Sequence, residues 1–487
     1  MSDATDGLAP TVKISKKEIV EALEAWGKDA LSATSLARSL HIRQILSKHD
    51  RDVSAAMKAQ INESLERLNR DQHAALAHIF QKSETVRSAA EAMKTSESSV
   101  YRYRTMGLNQ LTEEWTQLEA KAYRRYRSLI EERAQLGVSR LFGVTDRLAA
   151  LREALLAPGD PWLIGLDGIG GIGKTSLALA AILDHATLTR FEDILWVSAR
   201  QSQWHPVHGI VNAAHPALTY EGFVSRVLDQ LIGPRAAAIM SPRDQAAHMR
   251  VLLQEKPILV VVDNLETATD QEALLPGLAS LANPAKFLLT SRYSLREAGA
   301  VYTFSLDELP LSDAVDLLRY ELQNRNLLTL AAAPDAELAQ THDVTGGNPL
   351  AIKLVAGQLS AFPLSRVLDD LRQARGTKVD KFYRYIYWQA WKQLDEDARN
   401  VLLVMPLVAE EGGGLHQIEA VSQLPAAQVT DALQQLIRLS LVNVRHTGRS
   451  DAIATRDASR YSIHRLTESF LLEEVIRWQA EEAAAEN

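Results

Sequence analysis

The stretch from Trp162 to about Tyr302 constrains the fold most, because short apolar runs typical of strands alternate there with helical segments. Strands separated by helices imply βαβ units and a parallel sheet, since parallel neighbours need a crossover connection. The run that begins at Ile258 ends in Asp263, which would lie at the carboxyl edge of that sheet. Open α/β sheets bind their ligands at this edge. The sequence therefore predicts an α/β core with a binding site where Asp263 lies.

A glycine-rich segment after the first predicted strand matches the phosphate-loop pattern G-x-x-x-x-G-K-[ST]. The predicted nucleotide ligands in and beside it are Gly168, Gly170, Gly171, Gly173, Lys174, Thr175 and Ser176. Glycines let successive backbone N–H groups turn towards phosphate oxygens, the lysine adds a point charge, and the threonine hydroxyl can ligate Mg²⁺. The helix that follows adds its amino-terminal dipole. No guanine-reading N-K-x-D segment is present, so we expect ATP or ADP with Mg²⁺ as cofactors.

The two residues at the end of the Ile258 run bear on how fast such a site can hydrolyse a nucleotide. Asp263 is expected to hold Mg²⁺ together with Thr175. Asn264 follows, where a fast hydrolase would carry an acid. A neutral amide can orient water or sense a phosphate, but it cannot act as a general base, a step worth about 10²- to 10⁴-fold in rate. Glu266 could substitute if it reached the site, although it fits a surface position equally well.

A further strand, KFLLTSR, ends in Arg292. A cation there could contact the γ-phosphate and distinguish ATP from ADP, or it could be a solvated strand end. The predicted catalytic residues are thus Lys174, Asp263, Asn264 and Arg292.

Composition narrows the class of protein. The net charge of −8 and a pI of about 6.0 give no global attraction for nucleic acid, so a DNA-binding face would have to be local. The absence of cysteine excludes disulfides and thiolate metal sites. No secretory signal or apolar run of about 20 residues is apparent, which favours a cytoplasmic protein without membrane contact.

The first 135 residues show helical spacing of apolar residues, and one part of them predicts a helix-turn-helix. Val86, Ala89, Ala90 and Met93 form one helix face, and Val100 anchors a second helix. This segment resembles the DNA-reading end of bacterial sigma factors, although Lys94 stands where a glycine is usual. The predicted DNA-binding residues are Ser98, Ser99, Arg102 and Arg104. A helical adaptor that binds protein and never meets DNA is the alternative.

The ordered motifs LFGVTDRL, GIGGIGKT, DILWVSA, VVVDNLE, LLTSR, GGNPLA and YSIHRL resemble the NB-ARC members of the STAND class of signal-transducing ATPases. The resemblance implies that Pro349 packs on the adenine, that Arg292 senses the nucleotide, and that His464 in a winged helix contacts the β-phosphate of ADP. Two positions depart from the family pattern. In LFGVTDRL, Val144 stands where the family usually has an arginine. In YSIHRL, Arg465 stands where the family often has an aspartate.

The predicted architecture has an all-α amino-terminal region, an α/β phosphate-loop NTPase core with a parallel sheet, a helical domain and a winged helix. Its ranges are 1–66 for a helical module, 67–135 for the helix-turn-helix and linker helix, 136–305 for the nucleotide-binding domain, 306–381 for the helical domain, and 382–487 for the winged helix and tail.

Three functions are compatible with these features. The leading one is an ATP/ADP-binding switch with slow hydrolysis that regulates transcription, with DNA bound by the helix-turn-helix. The second is a defence or signalling switch whose amino-terminal helices recruit an effector protein without DNA contact. The third, an ATP-driven DNA-remodelling machine, is disfavoured by Asn264 and His464. A separate sensor protein and nucleotide-dependent homo-oligomers are expected partners of such a switch.

Overall fold

The structure is a computed structural model of the chain. It describes residues 12–26, 28, 30–134, 136, 140–198, 202–205, 209–212, 219–265, 271–296, 301–359, 363–372, 391, 394–407, 414–438, 441–446, 459–463 and 471.

The elements follow one another in three stretches. The first is helical and contains α1 (Lys16–Trp26), α2 (Leu40–Ile45), α3 (Val53–Glu66), α4 (Arg70–Leu76), α5 (Val86–Ala92) and α6 (Glu97–Ala134). The second alternates strands and helices and contains α7 (Thr145–Leu156), β1 (Leu163–Asp167), α8 (Lys174–Ile182), α9 (His185–Arg190), β2 (Asp193–Ser198), β3 (Ser202–His205), β4 (Gly209–Asn212), α10 (Tyr220–Leu231), α11 (Pro234–Ala238), α12 (Pro242–Glu255), β5 (Ile258–Asp263), α13 (Gln271–Leu281), β6 (Lys286–Ser291) and β7 (Tyr302–Ser305). The third is mainly helical and contains α14 (Leu311–Asn324), α15 (Leu328–Ala331), α16 (Asp335–Thr345), α17 (Pro349–Gln358), α18 (Leu364–Arg372), α19 (Glu396–Val404), α20 (Leu415–Ser422), α21 (Ala426–Arg438), β8 (Val442–His446) and β9 (Ser459–Ile463).

The chain divides into two compact units. One comprises Met1–Arg140 together with Ile182–Ile194, and the other comprises Leu141–Ala181 together with Leu195–Asn487. The first unit therefore includes a short segment that comes from the middle of the predicted nucleotide-binding range.

The first unit is built around the 38-residue helix α6. One hydrophobic cluster runs from Ile14 to Trp115, so buried residues on both sides of position 66 share the same core. Glu119 of α6 is almost fully buried, and its two carboxylate oxygens accept the backbone N–H groups of Leu40 and His41, each at 2.8 Å. This carboxylate thereby satisfies two of the orphan donors at the start of α2.

Helices α5 and α6 pack as the apolar pattern predicts. Ala89 and Val100 are fully buried in a small cluster with Ala75 and Ala90. The turn between the helices is possible because Lys94 adopts a left-handed conformation, with φ of +52°. This conformation is uncommon for a residue with a side chain and explains why glycine is favoured at such a turn.

The second unit contains a five-stranded sheet of order β2-β5-β6-β1-β7. The pairs β1–β6, β1–β7 and β5–β6 are parallel, as the alternation of strands and helices predicts. Strands β1, β5 and β6 are buried along their whole length, which accounts for their continuous apolar sequences. In the β5–β6 register Val262 lies opposite Leu289, so Asp263 and Thr290 come side by side at the carboxyl edge.

The helices α14 to α18 enclose a second hydrophobic cluster, which includes Leu318 and Ile352. A third cluster joins α19, α20 and α21 to β8, with Leu402, Leu436 and Val442 among its members. Strands β8 and β9 form an antiparallel pair in which Val442 lies opposite Ile463. The predicted boundary at 381/382 lies outside the described residues. No helix in the described part of the chain is long and apolar enough to span a membrane.

Candidate nucleotide site

The glycine-rich loop lies between β1 and α8, at the carboxyl edge of the sheet. Gly168 has φ of +146°, and a Cβ atom there would come within 2.7 Å of the Leu306 carbonyl oxygen. Gly171 has φ of +78°, and its Cβ would lie 3.0 Å from the Cβ of Leu350. Both positions therefore require glycine, for conformation and for close packing. The loop backbone is thus held against its surroundings by contacts that no side chain would permit.

Lys174 is nearly buried at the start of α8. Its ammonium group donates hydrogen bonds to the carbonyl oxygens of Gly168, at 2.6 Å, and Ile169, at 3.0 Å. The cation is therefore held over the loop itself, where it can act on a phosphate bound there.

The carboxylate of Asp263 is the centre of a compact polar network at the end of β5. Its Oδ1 accepts hydrogen bonds from the hydroxyls of Thr175, at 2.8 Å, and Thr290, at 2.7 Å. Its Oδ2 accepts from the side-chain amide of Asn264, at 2.9 Å. The structure thus brings together Thr175 and Asp263, which the sequence predicts as Mg²⁺ ligands.

Asn264 is held by its backbone as well as by its side chain. Its φ is +60°, a left-handed conformation that asparagine tolerates better than most residues. Its backbone N–H donates to the Thr290 hydroxyl at 2.9 Å. Thr290 is completely buried and links Asp263 to Asn264, a role that the sequence alone did not indicate. The signal available was the polar residue at the end of a buried strand, next in register to Asp263.

The oxygen donors present fit a magnesium ion. Asp263 supplies a carboxylate that is 2% exposed, and the hydroxyl of Thr175 lies within hydrogen-bonding distance of it. Mg²⁺ prefers hard oxygen ligands of this kind, in small number, and completes its shell with water and substrate phosphates. When bound, the ion would neutralise charge that develops between the phosphates.

The motif GGNP forms a tight junction between α16 and α17 beside the loop. Gly346 ends α16 in the left-handed conformation, and Pro349 is the first residue of α17, a position that suits proline. Asn348 lies between them with 1% exposure. Its Oδ1 caps α17 by accepting from the N–H groups of Leu350, at 3.1 Å, and Ala351, at 3.3 Å, and its amide donates to the Gly170 carbonyl at 3.1 Å. Asn348 was missed by sequence reasoning because the contact crosses 178 residues.

The other residues predicted to act at the nucleotide site lie in different places. Arg292 directly follows β6 and is partly buried, and the next residue, Tyr293, packs against the third hydrophobic cluster. Ser176 lies in the first turn of α8. His464 and Glu266 lie outside the described residues.

The four predicted DNA contacts lie at the start of α6, in two different environments. Ser98 and Arg102 are exposed, and the Arg102 guanidinium lies 5.3 Å from the Tyr103 ring centre. The hydroxyl of Ser99 lies 2.9 Å from that of Ser96, beside the helix start. Arg104 instead packs over Phe80, at 5.4 Å from the ring centre, with its Nε atom buried. Arg104 thus contributes to the packing of the first unit.

A glycine-rich loop between a buried parallel strand and a helix, with a carboxylate at the end of β5, which β6 separates from β1, defines a phosphate-loop nucleotide-binding core. Residues 144–318 match the NB-ARC domain family, so the resemblance that the order of the motifs indicates is confirmed for that part of the chain. This match implies that residues 144–318 bind a nucleotide.

Curated relatives include a transcription activator, a regulatory protein and a disease resistance protein. The chain is 25% identical to the transcription activator GutR of Bacillus subtilis over 365 residues, which cover 69% of this chain and 42% of GutR. It is 26% identical to the regulatory protein AfsR of Streptomyces coelicolor over 58% of this chain and 27% of AfsR. It is 24% identical to the disease resistance protein RPP2A of Arabidopsis thaliana over 50% of this chain and 17% of RPP2A. The chain thus spans less than half the length of these relatives.

Among solved structures, a STAND protein with a tetratricopeptide repeat sensor from Pyrococcus horikoshii aligns with 16% identity and a TM-score of 0.32, covering 70% of this chain and 42% of that one. A TM-score of this size does not establish a common fold.

Proposed function

We propose that the chain is an ATP/ADP-binding switch that hydrolyses ATP slowly and regulates transcription. The observation that carries the switch is the hydrogen bond from the Asn264 amide to Asp263. At the position where a fast hydrolase would have a general base, this chain has a neutral side chain engaged with the metal-binding carboxylate. Without a base, turnover loses about 10²- to 10⁴-fold, and the bound nucleotide itself becomes the lasting signal.

In this proposal the phosphate loop binds ATP or ADP with Mg²⁺. Lys174 and Arg292 contact the terminal phosphates, Thr175 and Asp263 hold the metal ion, and Pro349 packs on the adenine. The helices α19, α20 and α21 with the pair β8–β9 act as a winged helix, whose His464 contacts the β-phosphate of ADP. Exchange of ADP for ATP would bias the arrangement of these parts and could expose a surface for homo-oligomers or a separate sensor protein.

The first experiment identifies the nucleotide in freshly purified protein by chromatography after denaturation and measures single-turnover ATP hydrolysis on the same preparation. Retained ADP with turnover of minutes or slower supports the switch. An empty site with turnover of several per second would refute it, and Lys174→Ala provides the control that removes nucleotide binding.

Transcriptional regulation is supported by the similarity to GutR and AfsR and by the packing of α5 against α6. Arg102 and Ser98 present donors suited to DNA phosphates and base edges. Binding to duplex DNA is expected to weaken steeply with salt, because phosphate contacts release counterions. Arg102→Ala should lower the salt slope by about one, whereas Arg250→Ala, at an exposed position on α12, should leave it unchanged.

The similarity to RPP2A favours the second candidate, a defence or signalling switch that recruits an effector protein through its amino-terminal helices. The two candidates differ in the same DNA measurement. Retention on DNA that does not depend on Arg102, or no retention even at low salt, would favour the effector-binding switch.

A further inference from the structure

We propose that Asn348 is a positioning residue for the nucleotide phosphates, because it fixes the direction of one peptide group of the glycine-rich loop. The inference rests on the proposed nucleotide binding and adds a residue from outside the phosphate-loop motif. Its basis is the hydrogen bond from the Asn348 side-chain amide to the Gly170 carbonyl oxygen, at 3.1 Å.

The orientation of the Asn348 side chain is determined by its surroundings. Its Oδ1 accepts from two backbone N–H groups at the start of α17, those of Leu350 and Ala351. Only the oxygen of an asparagine side chain can accept these hydrogen bonds, so the NH₂ group must face the loop. The side chain is buried with 1% exposure, which removes water as a competing partner.

The direction of one peptide group follows from this hydrogen bond. In a trans peptide the carbonyl of one residue and the N–H of the next point in opposite directions. When Asn348 holds the Gly170 carbonyl towards α17, the Gly171 N–H points away from α17. Loops of this pattern bind phosphates through backbone N–H groups that turn inward. Asn348 therefore selects the peptide orientation that makes the Gly171 N–H a donor to phosphate.

The junction that carries Asn348 is anchored independently of its side chain. The backbone of Gly347 accepts a hydrogen bond from the Leu309 N–H at 2.9 Å, and a Cβ atom on Gly347 would lie 2.3 Å from the Leu309 oxygen. Loop and junction are also in contact, since a Cβ on Gly171 would come within 3.1 Å of Asn348 Oδ1. Replacement of the Asn348 side chain thus removes one donor at a place where the backbone is otherwise held.

Two variants separate this donor from the helix cap. Asn348→Ser keeps an oxygen that caps α17 well but is too short and has no amide to reach Gly170. Asn348→Asp keeps the size and the cap but replaces the donor with an acceptor. The matched control is Asn400→Ser, because Asn400 also donates its amide to a backbone carbonyl, that of Ser422, at 3.4 Å.

The measurement is competition of unlabelled ADP and AMP against a fluorescent ADP on the full chain, with thermal unfolding of the nucleotide-free protein recorded in parallel. Asn348→Ser should weaken ADP binding about five- to tenfold, with little change for AMP, so that the ADP-to-AMP affinity ratio falls. Asn348→Asp should weaken ADP binding at least as much, and Asn400→Ser should behave as the wild type.

The outcomes are distinct. ADP affinity within twofold of the wild type in Asn348→Ser, or an equal loss for ADP and AMP, overturns the role of Asn348 while nucleotide binding stands. If Asn348→Asp fails to fold, Asn348→Ser alone decides. Failure of the wild-type protein to bind ADP, in the same assay, would refute the proposed function instead.

Discussion

Among single residues of the candidate site, Asp263 has the most strongly constrained side chain. Three donors bind its two oxygens at 2.7 to 2.9 Å. A carboxylate with this many hydrogen bonds is held in one orientation. The neighbours of Asp263 therefore determine how it can meet a metal ion, and each of them can be tested.

Introduction of an acid at position 264 is expected to impair the site, not to convert it into a fast hydrolase. In Asn264→Asp the donor to Asp263 Oδ2 becomes a second carboxylate at about the same distance, and two such groups repel or share a proton. ADP measured without Mg²⁺ should bind about tenfold more weakly, because the added negative charge repels the phosphates, and single-turnover hydrolysis should not accelerate.

Asn326→Asp is the matched control, because Asn326 has the same φ of +60° as Asn264 and lies beyond α14. Both variants place an aspartate in the same left-handed conformation, so the conformational free energy is similar in the two. A difference in ADP binding or hydrolysis between them therefore arises from the contacts at the nucleotide site. A tenfold faster hydrolysis in Asn264→Asp would contradict this prediction and show that an acid at the position of the missing base outweighs its repulsion with Asp263.

Thr290 provides a second test of the same network. Thr290→Val keeps the shape of the buried side chain but removes the hydroxyl that accepts from the Asn264 N–H and donates to Asp263 Oδ1. Loss of buried hydrogen bonds of this kind costs about 1 to 3 kcal/mol. In urea unfolding, the transition whose midpoint rises when ADP is added should therefore have a lower midpoint in the variant. Thr290→Ser restores the hydroxyl and should recover most of the loss. Equal stability of the Val and Ser variants would show that packing, not the hydroxyl, is what matters.

At the scale of elements, four of the five strands in the sheet of the second unit could be predicted from the sequence. β1, β2, β5 and β6 carry continuous apolar runs that end at polar residues, which is a local signal. The strands β3, β4 and β7 were not predicted. Their four-residue sequences lack such a run, and pairing with a neighbouring strand, which is not local, determines them.

In the candidate site, too, local sequence patterns predict some residues, whereas contacts between distant parts of the chain determine others. The glycine-rich loop could be predicted because its chemistry is contained in eight consecutive residues. The contacts of Thr290 and Asn348 could not, since they depend on strand register and on a junction far along the chain. Arg104 shows the opposite case. Its sequence position is typical of a DNA contact, but in the structure its guanidinium packs on the Phe80 ring.

Lys286 is a further element-scale feature that no sequence pattern indicates. It begins β6, is fully buried, and donates to the carbonyl oxygens of Ala154, Gly159 and Pro161 at 2.9 to 3.0 Å. The ammonium also lies 5.3 Å from the ring centre of Trp162. It therefore fixes the connection between α7 and β1 to the start of β6.

Removal of this ammonium should destabilise the second unit. Lys286→Met keeps the aliphatic stem but leaves three carbonyl groups without their donor, at an expected cost of about 2 to 4 kcal/mol. Unfolding in urea, followed by intrinsic fluorescence, measures the change. Lys121→Met, at an exposed position on α6, should have little effect. A Lys286→Met protein as stable as the wild type would mean that water replaces the ammonium at these carbonyls.

At the scale of the whole molecule, α6 carries the four predicted DNA contacts at its start. Further along, it contacts the segment that follows the phosphate-loop helix in the chain. Helix α8 runs directly into Ile182–Ile194, which belongs to the first unit. There Glu119 accepts from His185 Nε2 at 2.8 Å, and the Tyr123 hydroxyl donates to the Leu183 carbonyl at 2.9 Å. Burial raises the pKa of Tyr123, which keeps this donor protonated.

Loosening this segment should therefore affect nucleotide retention. Glu119→Gln replaces one acceptor oxygen with an NH₂ group that faces backbone donors, so at least one of three hydrogen bonds is lost, at a cost of about 1 to 3 kcal/mol. Amide hydrogen exchange in residues 183–193 should accelerate, while that of β5 and β6 stays unchanged. ADP should dissociate severalfold faster, because the end of α8 loses its anchor. Glu113→Gln, at an exposed position on the same helix, is the control. Faster exchange without faster ADP release would show that the segment 183–193 and the phosphate loop move independently.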